Sequence, residues 1–398
     1  MSPSADSGPA FSIACLSPQP WEIDLPTNRQ QIMARAARRG HPVLFVDCGT
    51  FVGRHLRALL RGPRRRSTAR RLVSSQEVAP GIRTTIAPNV LPWGHTYALA
   101  ARVNARLTAR AIRRRLRRLP APAVLWLYDP CFADAIGRSG ERFAVYDCVD
   151  DYPEQTGGHP RKHALVTACD RAAAERSRVV FATAVPLVER HRRSNPRTHL
   201  VRNVGDFQHF VPAADRAYAP EALATLERPV VGFAGNFLGE KVDFELLERI
   251  ARSRPEWTLL LVGPERADTA ERLRELAGLP NVVWTGPVPY AEVPRAIAAF
   301  DVGLIPYVSN AYTRSCFPLK LYEYLAAGKP VVATGLPELA GLEPHAVLAP
   351  DADAAVRAVE WALGALGYDD RQARQGVAAQ NTWDTRTARL LELVAAEL

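Results

Sequence analysis

The sequence predicts two α/β domains, each built on a doubly wound parallel sheet. Short apolar runs of Val, Leu, Ile and Ala alternate with amphipathic helical segments along most of the chain, which is typical of βαβ units. The chain has 398 residues, enough for two domains of ordinary size. Its content of 47% hydrophobic and 23% charged residues is that of a globular protein.

Shifts in composition predict the domain boundaries. The first residues are rich in Ser, Pro and Gly, and a later stretch before residue 229 is rich in Ala, Pro and charge, as leaders and linkers are. We expect a disordered leader at 1–10, an N-terminal domain at 11–210, a linker at 211–228, a C-terminal domain at 229–375 and a terminal helical segment at 376–398.

The N-terminal domain opens with a βαβ unit. Strands at 11–16 and 43–47 flank a helix at 29–39 that Thr27 or Asn28 caps and Gly40 ends. Such a unit implies parallel pairing with a right-handed crossover. Further strands are predicted at 82–87, 124–128, 143–147, 178–182 and 200–204, and helices at 164–177 and 186–193.

The C-terminal domain repeats the alternation. Pro318 suits the first position of a helix, and Gly328 suits the left-handed conformation that ends one. Strands are predicted at 230–234, 257–262, 282–284, 301–307 and 330–334, and helices at 243–253, 271–277, 293–300 and 319–327.

The predicted helix at 319–327 carries residues suited to a phosphate and a ribose. Lys320 and Glu323 are three positions apart and therefore project side by side. The N–H groups at the start of the helix, together with Lys320 and Arg314, suit a diphosphate, and Glu323 can accept hydrogen bonds from ribose hydroxyls. The alternative is a solvated surface pair that contributes roughly 0.2 to 0.5 kcal/mol.

The segment Glu323-Tyr-Leu-Ala-Ala-Gly-Lys-Pro-Val-Val-Ala333 resembles the nucleotide-sugar site of GT-B glycosyltransferases of retaining family 4. The loop from Gly235 to Lys241 resembles the family's phosphate-gripping loop, with Asn236 where the family has arginine. Ser315 stands where the family has a second glutamate.

This resemblance implies two Rossmann-like domains facing a cleft, a nucleoside diphosphate sugar as donor, transfer with retention, and neither cofactor nor metal. It assigns catalytic roles to Lys241, Arg314, Lys320 and Glu323. The donor-binding residues that it implies are Gly235, Asn236, Lys241, Ser315, Cys316, Phe317, Pro318, Leu319, Lys320 and Glu323.

Two further segments are similar to the family. Residues 203–210 resemble the stretch that leads out of its N-terminal domain, and Thr382-Trp383-Asp384 resembles the start of its last helix. The resemblance implies that this last helix crosses back onto the N-terminal domain. The alternatives are an ordinary turn and a locally packed amphipathic helix.

The first loop and a later one supply candidates for the acceptor side. Trp21, Asn28 and Arg29 combine an aromatic ring with polar groups, as carbohydrate sites do. Asp150 and His159 follow a strand end, where open parallel sheets bind ligands, and are candidates to face the donor sugar. The alternative is a long loop whose tryptophan only packs. A glycan, a lipid-linked glycan and a small natural product are all open as acceptors.

The net charge of +10 is concentrated in two arginine clusters, one at 54–71 and one at 102–118. Leu99, Val103, Leu107, Ala111 and Leu116 form an apolar stripe through the second, which predicts a basic amphipathic helix. Such clusters fit an anionic membrane, a polyanionic acceptor or nucleic acid, or are merely solvated. With no signal peptide or long apolar run, we expect a cytoplasmic protein with the inner membrane face as a docking surface and no nucleic-acid partner.

The six cysteines lack metal-ligand spacing and are expected to be reduced. Three competing functions remain: a nucleotide-sugar epimerase on the same fold, a two-domain sugar-binding protein, and a catalytically silent homologue acting as a partner subunit. The second is disfavoured by the absence of a signal peptide, and the third is kept open by Ser315 and Asn236.

Overall fold

The computed structural model describes residues 11–49, 51, 74–120, 122–342, 344–364 and 370–398. The chain divides into two compact units: unit 1 comprises Met1–Arg202 with Arg386–Leu398, and unit 2 comprises Asn203–Thr385. The division falls at 202, not at the predicted 210, and residues 211–228 belong to unit 2 instead of forming a separate linker. The predicted leader and the first arginine cluster lie outside the described residues.

Unit 1 is built on an eight-stranded sheet with the order β3-β4-β2-β1-β5-β6-β7-β8. Every neighbouring pair is parallel except β3 and β4. The strands are β1 (Ser12–Ser17), β2 (Val43–Asp47), β3 (Gln76–Ala79), β4 (Ile82–Ile86), β5 (Ala123–Leu127), β6 (Phe143–Cys148), β7 (Val179–Ala182) and β8 (Thr198–Leu200). The helices are α1 (Asn28–Arg38), α2 (Ala98–Leu116), α3 (Pro160–Arg176) and α4 (Val185–Arg192).

The first βαβ unit forms as its residues predict. β1 and β2 are buried along their whole length, so both faces of the sheet are covered. Thr27, not Asn28, is the N-cap of α1, in a capping box with Gln30. At the other edge of the sheet, the strand predicted at 200–204 lies earlier in the chain. The observed strand β8 ends at Leu200.

Helix α2 buries a different face from the predicted stripe. Its packed side is formed by small residues, including Ala101, Ala105 and Ala109, which let the helix approach its neighbours closely. Leu99 is 71% exposed instead. Val103 and Leu107 of the stripe are half-buried, and Leu116 is buried as predicted. Within the described part of the chain, no helix has the length and apolar content needed to span a membrane.

Unit 2 is built on a six-stranded parallel sheet with the order β11-β10-β9-β12-β13-β14. The strands are β9 (Val230–Ala234), β10 (Thr258–Val262), β11 (Val282–Trp284), β12 (Val302–Pro306), β13 (Val331–Thr334) and β14 (Ala346–Ala349). The helices are α5 (Phe207–Phe210), α6 (Glu221–Ala224), α7 (Phe244–Ser253), α8 (Ala270–Ala277), α9 (Val293–Ala298), α10 (Ala311–Arg314), α11 (Leu319–Ala326), α12 (Ala352–Gly364), α13 (Arg371–Gln380) and α14 (Trp383–Ala395).

The strand order of unit 2 reverses between β9 and β12. The chain runs outward from β9 to β10 and β11, then returns to the other side of β9 with β12. In open parallel sheets, ligands bind beyond the carboxyl ends of the strands at such a reversal. The loops that follow β9 and β12 are therefore the expected ligand loops. The corresponding reversal in unit 1 lies between β1 and β5.

The last helix supplies a buried charge to unit 1. From Arg386 onward its residues belong to that unit, and Leu390 and Val394 are fully buried. The guanidinium of Arg386 lies 3.8 Å from the carboxylate of Asp147, and both side chains are almost entirely buried. Asp147 also accepts a hydrogen bond of 3.3 Å from the indole nitrogen of Trp126.

Candidate functional site

The loop after β9 meets helix α11 at Gly235. The Gly235 N–H donates to Val262 O over 2.8 Å, and a Cβ built on Gly263 would lie 1.9 Å from Gly235 O. On its other side, a Cβ built on Gly235 would lie 2.4 Å from Cε of Lys320. The backbone of this loop is therefore held between a second glycine and the lysine side chain. Glycine is required here because there is no room for a side chain.

Both lysines of the predicted donor site rest on aromatic rings. Nζ of Lys241 lies 5.0 Å from the ring centre of Tyr307 and 5.2 Å from that of Tyr312. Nζ of Lys320 lies 5.6 Å from the ring centre of Phe233. Contacts of this kind attract a cation to the ring face and restrict its position. The two ammonium groups are thus held at the ends of β9 and β12.

The loop after β12 is tied to the β9 loop through the backbone. Val308 N–H donates to Lys241 O over 3.0 Å, and the amide of Asn310 donates to Glu240 O over 2.7 Å. Asn310 also caps the short helix α10 in a capping box with Thr313. These bonds fix both loops as one surface.

The residues between α10 and α11 are mostly inaccessible. Ser315, Cys316, Phe317 and Pro318 are buried, whereas Arg314 is exposed. Phe317 O accepts a hydrogen bond of 2.8 Å from Asn203. Contact of the four buried residues with a ligand would therefore run through the backbone at the edge of the loop.

Pro318 is the N-cap of α11 and not its first helical residue, with φ −77° and ψ 133°. The helix begins at Leu319, and the first N–H groups of any helix have no intrahelical acceptor. Gly328 ends the turn with φ +66°, as predicted. The positive end of the α11 dipole accordingly coincides with Lys320.

Glu323 lies one turn further along α11 and is half-buried. Burial raises the pKa of its carboxyl group, while the positive charges of Lys320 and His209 oppose the rise and Asp206 adds to it. Gly205 packs against the helix here, because a Cβ on it would lie 2.9 Å from Cβ of Tyr322. The segment that leads into unit 2 therefore brings Asp206 and His209 beside Glu323.

His209 was not predicted as a site residue. Its ring stacks on Tyr290 at 4.4 Å between centres and 26° between planes, and its Nε2 lies 3.0 Å from Tyr290 O. An aromatic pair beside the Glu323 carboxylate offers a flat apolar surface. His209 lies in the segment 203–210, whose resemblance to the family was noted in the sequence, but that resemblance did not assign it a role. Asn236, which was predicted to bind the donor, is exposed at the tip of its loop.

In unit 1, the predicted acceptor residues differ in how far they are exposed to solvent. Asn28 and Arg29 are buried, and the ring of half-buried Trp21 meets Phe45 edge-on at 5.3 Å. The Arg29 guanidinium donates to Tyr152 Oη over 3.3 Å and lies 5.2 Å from the ring centre of Tyr128.

Arg29 thereby joins the loops after β1, β5 and β6. Asp150 is half-buried and acts electrostatically on Arg29. His159 is exposed and caps α3, accepting a hydrogen bond of 3.4 Å from Lys162 N–H. Of the five predicted residues, the structure links Arg29 with Asp150 and gives His159 a capping role.

A cavity of about 280 Å³ opens at the carboxyl edge of the unit 1 sheet and was missed by sequence reasoning. His95 Nε2 lies 2.9 Å from a carboxylate oxygen of buried Asp129, and this carboxylate raises the pKa of His95 to about 8. Trp93 is 70% exposed at its mouth. The described lining residues are Cys48, Gly49, Phe51, Asn89, Leu91, Pro92, Trp93, Gly94, His95, Thr96, Ala101, Asn104, Cys131 and Phe132.

Asn89 marks the polar wall of this cavity. Its side chain is 7% exposed, and its amide nitrogen donates to Cys48 O over 2.6 Å. Its carbonyl oxygen is buried without a hydrogen-bond partner among the described residues. A buried acceptor of this kind is costly unless a donor reaches it. A hydroxyl group of a bound ligand would supply one.

Two clusters in unit 1 combine metal-ligand residue types: His95, Asp129 and Cys131, and Cys148, Asp170 and His191. In the first, the carboxylate is already bonded to His95 and to the Cys131 N–H. In the second, Asp170 accepts from Tyr146 Oη over 2.5 Å, and His191 Nε2 lies 3.4 Å from the Cys148 thiol. Because these groups bond one another or nearby protein groups, neither cluster is proposed as a metal site.

Comparison with known proteins supports the sequence resemblance. Residues 228–364 match the family Glycosyl transferases group 1. TuaH of Bacillus subtilis, whose name assigns it as a glycosyltransferase of teichuronic acid biosynthesis, is 35% identical over 193 residues, which are 47% of this chain and 48% of that protein. The chain thus spans about half the length of the curated relatives it matches.

Solved structures extend the similarity of fold to nearly the whole chain. Sucrose-phosphate synthase from Thermosynechococcus elongatus superposes with a TM-score of 0.71 at 18% identity, covering 96% of this chain and 98% of that one. Anabaena HepE in complex with UDP and glucose gives 0.65 at 15% identity, covering 96% and 99%. These matches do not favour an epimerase or a silent subunit. The chain has the GT-B fold, and its residues 228–364 are similar to the glycosyl transferases of group 1, which is consistent with the family 4-like motifs.

Proposed function

We propose that the protein transfers a sugar from a nucleoside diphosphate sugar to a hydroxyl-bearing acceptor, with retention. The observation that carries this proposal is the contact between Gly235 and Lys320, with Glu323 one turn further along the same helix. A cation, a glycine-lined loop and a ribose-binding carboxylate then face one ligand. HepE, which shares the fold, was solved with UDP and glucose.

Catalysis would rest on stabilising the departing diphosphate. Its negative charge grows as the bond from the sugar to the phosphate oxygen breaks, and Lys320 with the first N–H groups of α11 would stabilise that charge. Lys241 would act in the same way from the β9 loop. Exposed Arg314 is free to turn toward the phosphates. This scheme requires no nucleophile from the protein, no cofactor and no metal.

Glu323 would bind the ribose and His209 with Tyr290 the base. The carboxylate can accept hydrogen bonds from two neighbouring hydroxyl groups. The paired rings of His209 and Tyr290 offer a flat apolar surface beside it. Because every nucleotide base can stack on an aromatic ring, this arrangement leaves the identity of the base to be measured.

The acceptor would enter unit 1 at the cavity beside Trp93. The aromatic ring of Trp93 suits packing against a sugar-like ring, and the Asn89 carbonyl oxygen, which has no partner among the described residues, suits a hydroxyl donor. His95 is held by Asp129 at the same cavity. Trp21, Arg29 and Asp150 would complete the acceptor side, and a glycan, a lipid-linked glycan and a natural product all remain within this class.

We also propose peripheral binding to an anionic membrane on the cytoplasmic face. Helix α2 carries exposed arginines beside the half-buried Leu107, and Trp93, Tyr97 and Leu99 are exposed just before or at its start. Basic residues next to exposed aromatic and aliphatic side chains are typical of interfacial segments. No nucleic-acid partner is proposed.

Vesicle binding tests the membrane proposal. We expect sedimentation with phosphatidylglycerol vesicles that weakens with salt and is lost when Arg113, Arg114, Arg117 and Arg118 are changed to glutamine. Changing Arg249, Arg252, Arg272 and Arg274 of unit 2 removes the same charge and should leave binding intact. Equal loss in both variants would contradict the proposal, because it would reflect net charge alone.

The donor proposal is tested by calorimetry with UDP, GDP, dTDP and ADP. We expect selective binding of one nucleotide, and its loss in Glu323→Ala. Incubation with the corresponding nucleotide sugar should then release that nucleotide. If no nucleotide binds the folded protein, the transferase proposal fails at its first step.

A further inference from the structure

Strand β9 loses its β12 neighbour before it reaches the donor loop. It pairs with β10 along its whole length, but its register with β12 ends at Gly232 and Gly303. Alternate N–H groups of a strand point to opposite neighbours. Since the Gly235 N–H donates to Val262 on the β10 side, the Ala234 N–H faces the β12 side, where the two strands are no longer paired.

The hydroxyl group of Tyr324 takes the place of the missing strand. It accepts a hydrogen bond of 2.9 Å from the Ala234 N–H, and both residues are buried. A buried backbone N–H is costly without an acceptor, so this bond satisfies the end of β9. The hydroxyl has no other hydrogen-bond partner among the residues that the structure describes. Tyr324 thus joins helix α11 directly to the backbone of β9.

Two glycines make the space for this tyrosine. A Cβ built on Gly303 would lie 2.5 Å from Cδ2 of Tyr324, and one built on Gly232 would lie 2.1 Å from Cδ1 of Phe300. The two aromatic rings meet edge-on, with 5.9 Å between their centres. The rings therefore lie against the last paired residues of β9 and β12, at the reversal of the strand order.

Helix α11 contacts the end of β9 at two points one turn apart. Lys320 and Tyr324 are four positions apart and so share a face of the helix. The Lys320 side chain lies on Phe233 and against Gly235, the two neighbours of Ala234 in the chain. Tyr324 holds Ala234 itself. The position of the Lys320 ammonium group relative to the loop backbone therefore also depends on the Tyr324 bond.

These contacts also suit an ordinary core tyrosine. Its ring fills space beside the sheet, and its hydroxyl supplies the acceptor that a buried N–H needs. On this interpretation, removing the hydroxyl lowers the free energy of unfolding and leaves the nucleotide affinity of the folded protein unchanged. The location favours a role at the site, because the bonded N–H lies one residue before Gly235 and Glu323 directly precedes Tyr324.

We propose that Tyr324 is a positioning residue of the donor site. Its hydroxyl holds α11 against the end of β9 in the arrangement that places Lys320 and Glu323 for a nucleoside diphosphate. The inference rests on the proposed donor function. It adds a residue that touches no substrate, since Tyr324 is fully buried, and that acts through the lysine on the preceding turn.

Tyr324→Phe tests the proposal, because phenylalanine keeps the ring and removes only the hydroxyl. The probe is whichever of UDP, GDP, dTDP and ADP the wild type binds, and calorimetry is done at a temperature at which both proteins are folded. We expect roughly three- to tenfold weaker binding, as for the loss of one neutral hydrogen bond. Tyr146→Phe in unit 1 is the matched control. It loses a buried hydroxyl that donates to Asp170 over 2.5 Å, and should keep the wild-type nucleotide affinity.

A double-mutant cycle separates positioning from a general loosening of the fold. If Tyr324 acts through Lys320, Tyr324→Phe should have almost no further effect on nucleotide binding in the Lys320→Ala background, so the two changes are not additive. A tyrosine with only a structural role would give the same fold-change in both backgrounds. That result would overturn the proposal, as would an equal loss of affinity in Tyr146→Phe.

The remaining outcomes separate this inference from the donor proposal. If the wild type and Tyr324→Phe bind nucleotide equally well, this inference alone is wrong. If the wild type binds no nucleotide, the donor proposal fails and this inference falls with it. If Tyr324→Phe does not fold, hydrogen exchange in the wild type replaces it: bound nucleotide should slow exchange at the Ala234 amide, and an unchanged rate would contradict the inference.

Discussion

Lys320 and Gly235 occupy adjoining space, so that a single methyl group on the glycine would lie 2.4 Å from Cε and 2.6 Å from Nζ of the lysine. The two residues are far apart in sequence and lie on a helix and a loop. Their contact places an ammonium group against the backbone of the loop that follows β9. The position of the lysine is thus set by the absence of a side chain opposite it.

Gly235→Ala should displace Lys320 and weaken nucleotide binding. The methyl group cannot fit unless the lysine moves, and a charge-assisted hydrogen bond contributes about 1.5 to 3 kcal/mol, so we expect roughly 10- to 100-fold lower affinity. Isothermal titration calorimetry with the nucleotide measures this affinity. Gly376→Ala is the matched control, because space around Gly376 in α13 is open and alanine favours a helix. Unchanged affinity in Gly235→Ala would contradict the role of Lys320.

Glu323→Gln should stabilise the unliganded protein at neutral pH while weakening nucleotide binding. The pKa of Glu323 is raised in the folded state, so the folded protein holds this proton more tightly than the unfolded chain. The ionised carboxylate therefore lowers stability as pH rises through the interval between the two pKa values. Thermal melts of both proteins at acidic and neutral pH check this, and a variant less stable at neutral pH would contradict it.

The His95 and Asp129 pair should stabilise the fold below neutral pH. The pKa of His95 rises from 6.5 to about 8, so this stabilisation is complete below pH 6.5 and is lost as pH increases through 8. Because His95 is half-exposed, we expect on the order of 1 kcal/mol. His95→Gln and Asp129→Asn should each remove this dependence from urea unfolding measured across the range. If the pH dependence of stability survives in both variants, it does not come from this pair and the prediction is wrong.

Lys329 should make the protein more stable as pH increases above 8. Its pKa falls from 10.5 to about 8 on folding, so in this interval the unfolded chain binds the proton and the folded protein does not. Relative to Lys329→Met, the wild type should gain about 2 kcal/mol between pH 8 and about pH 10. Parallel pH profiles of the two proteins would disprove the expectation.

Arg386→Ala should destabilise unit 1 severely. Removing one partner of a buried ion pair leaves an uncompensated charge and costs about 3 to 5 kcal/mol, and both Arg386 and Asp147 are almost fully buried. Arg386→Met combined with Asp147→Asn should recover much of the loss. Arg389→Ala, an exposed position on the same helix, should change stability by less than about 0.5 kcal/mol. Denaturant unfolding measures both variants. Equal losses of unfolding free energy in Arg386→Ala and Arg389→Ala would contradict the prediction.

The two sheets could be predicted because their strands are short apolar runs separated by helical periods. β3 escaped prediction since Gln76 to Ala79 is a partly exposed edge strand with little apolar content. Most of the packed face of α2 was also missed, because it consists largely of alanines and small polar residues, with Ile112 and the predicted Leu116 as its large apolar side chains.

The proposed donor site could largely be predicted from the sequence, because Lys320 and Glu323 lie on one helical turn. The cavity proposed for the acceptor could not. His95 and Asp129 are 34 residues apart on loops that follow different strands, and only the sheet order brings them within 2.9 Å. His209 and Tyr290 are separated by 81 residues and meet for the same reason. Pairs of this kind leave no local pattern.

The bridge between the two ends of unit 2 has a consequence for how this protein can be taken apart. Gly205 pairs in parallel with Thr382, and its N–H donates to Asn381 O over 3.2 Å. Unit 2 is thus one uninterrupted stretch whose ends lie side by side. It has the form of an insert that could be excised, produced alone, or rejoined through a short loop as a circular permutant, carrying the whole of the proposed nucleotide site with it.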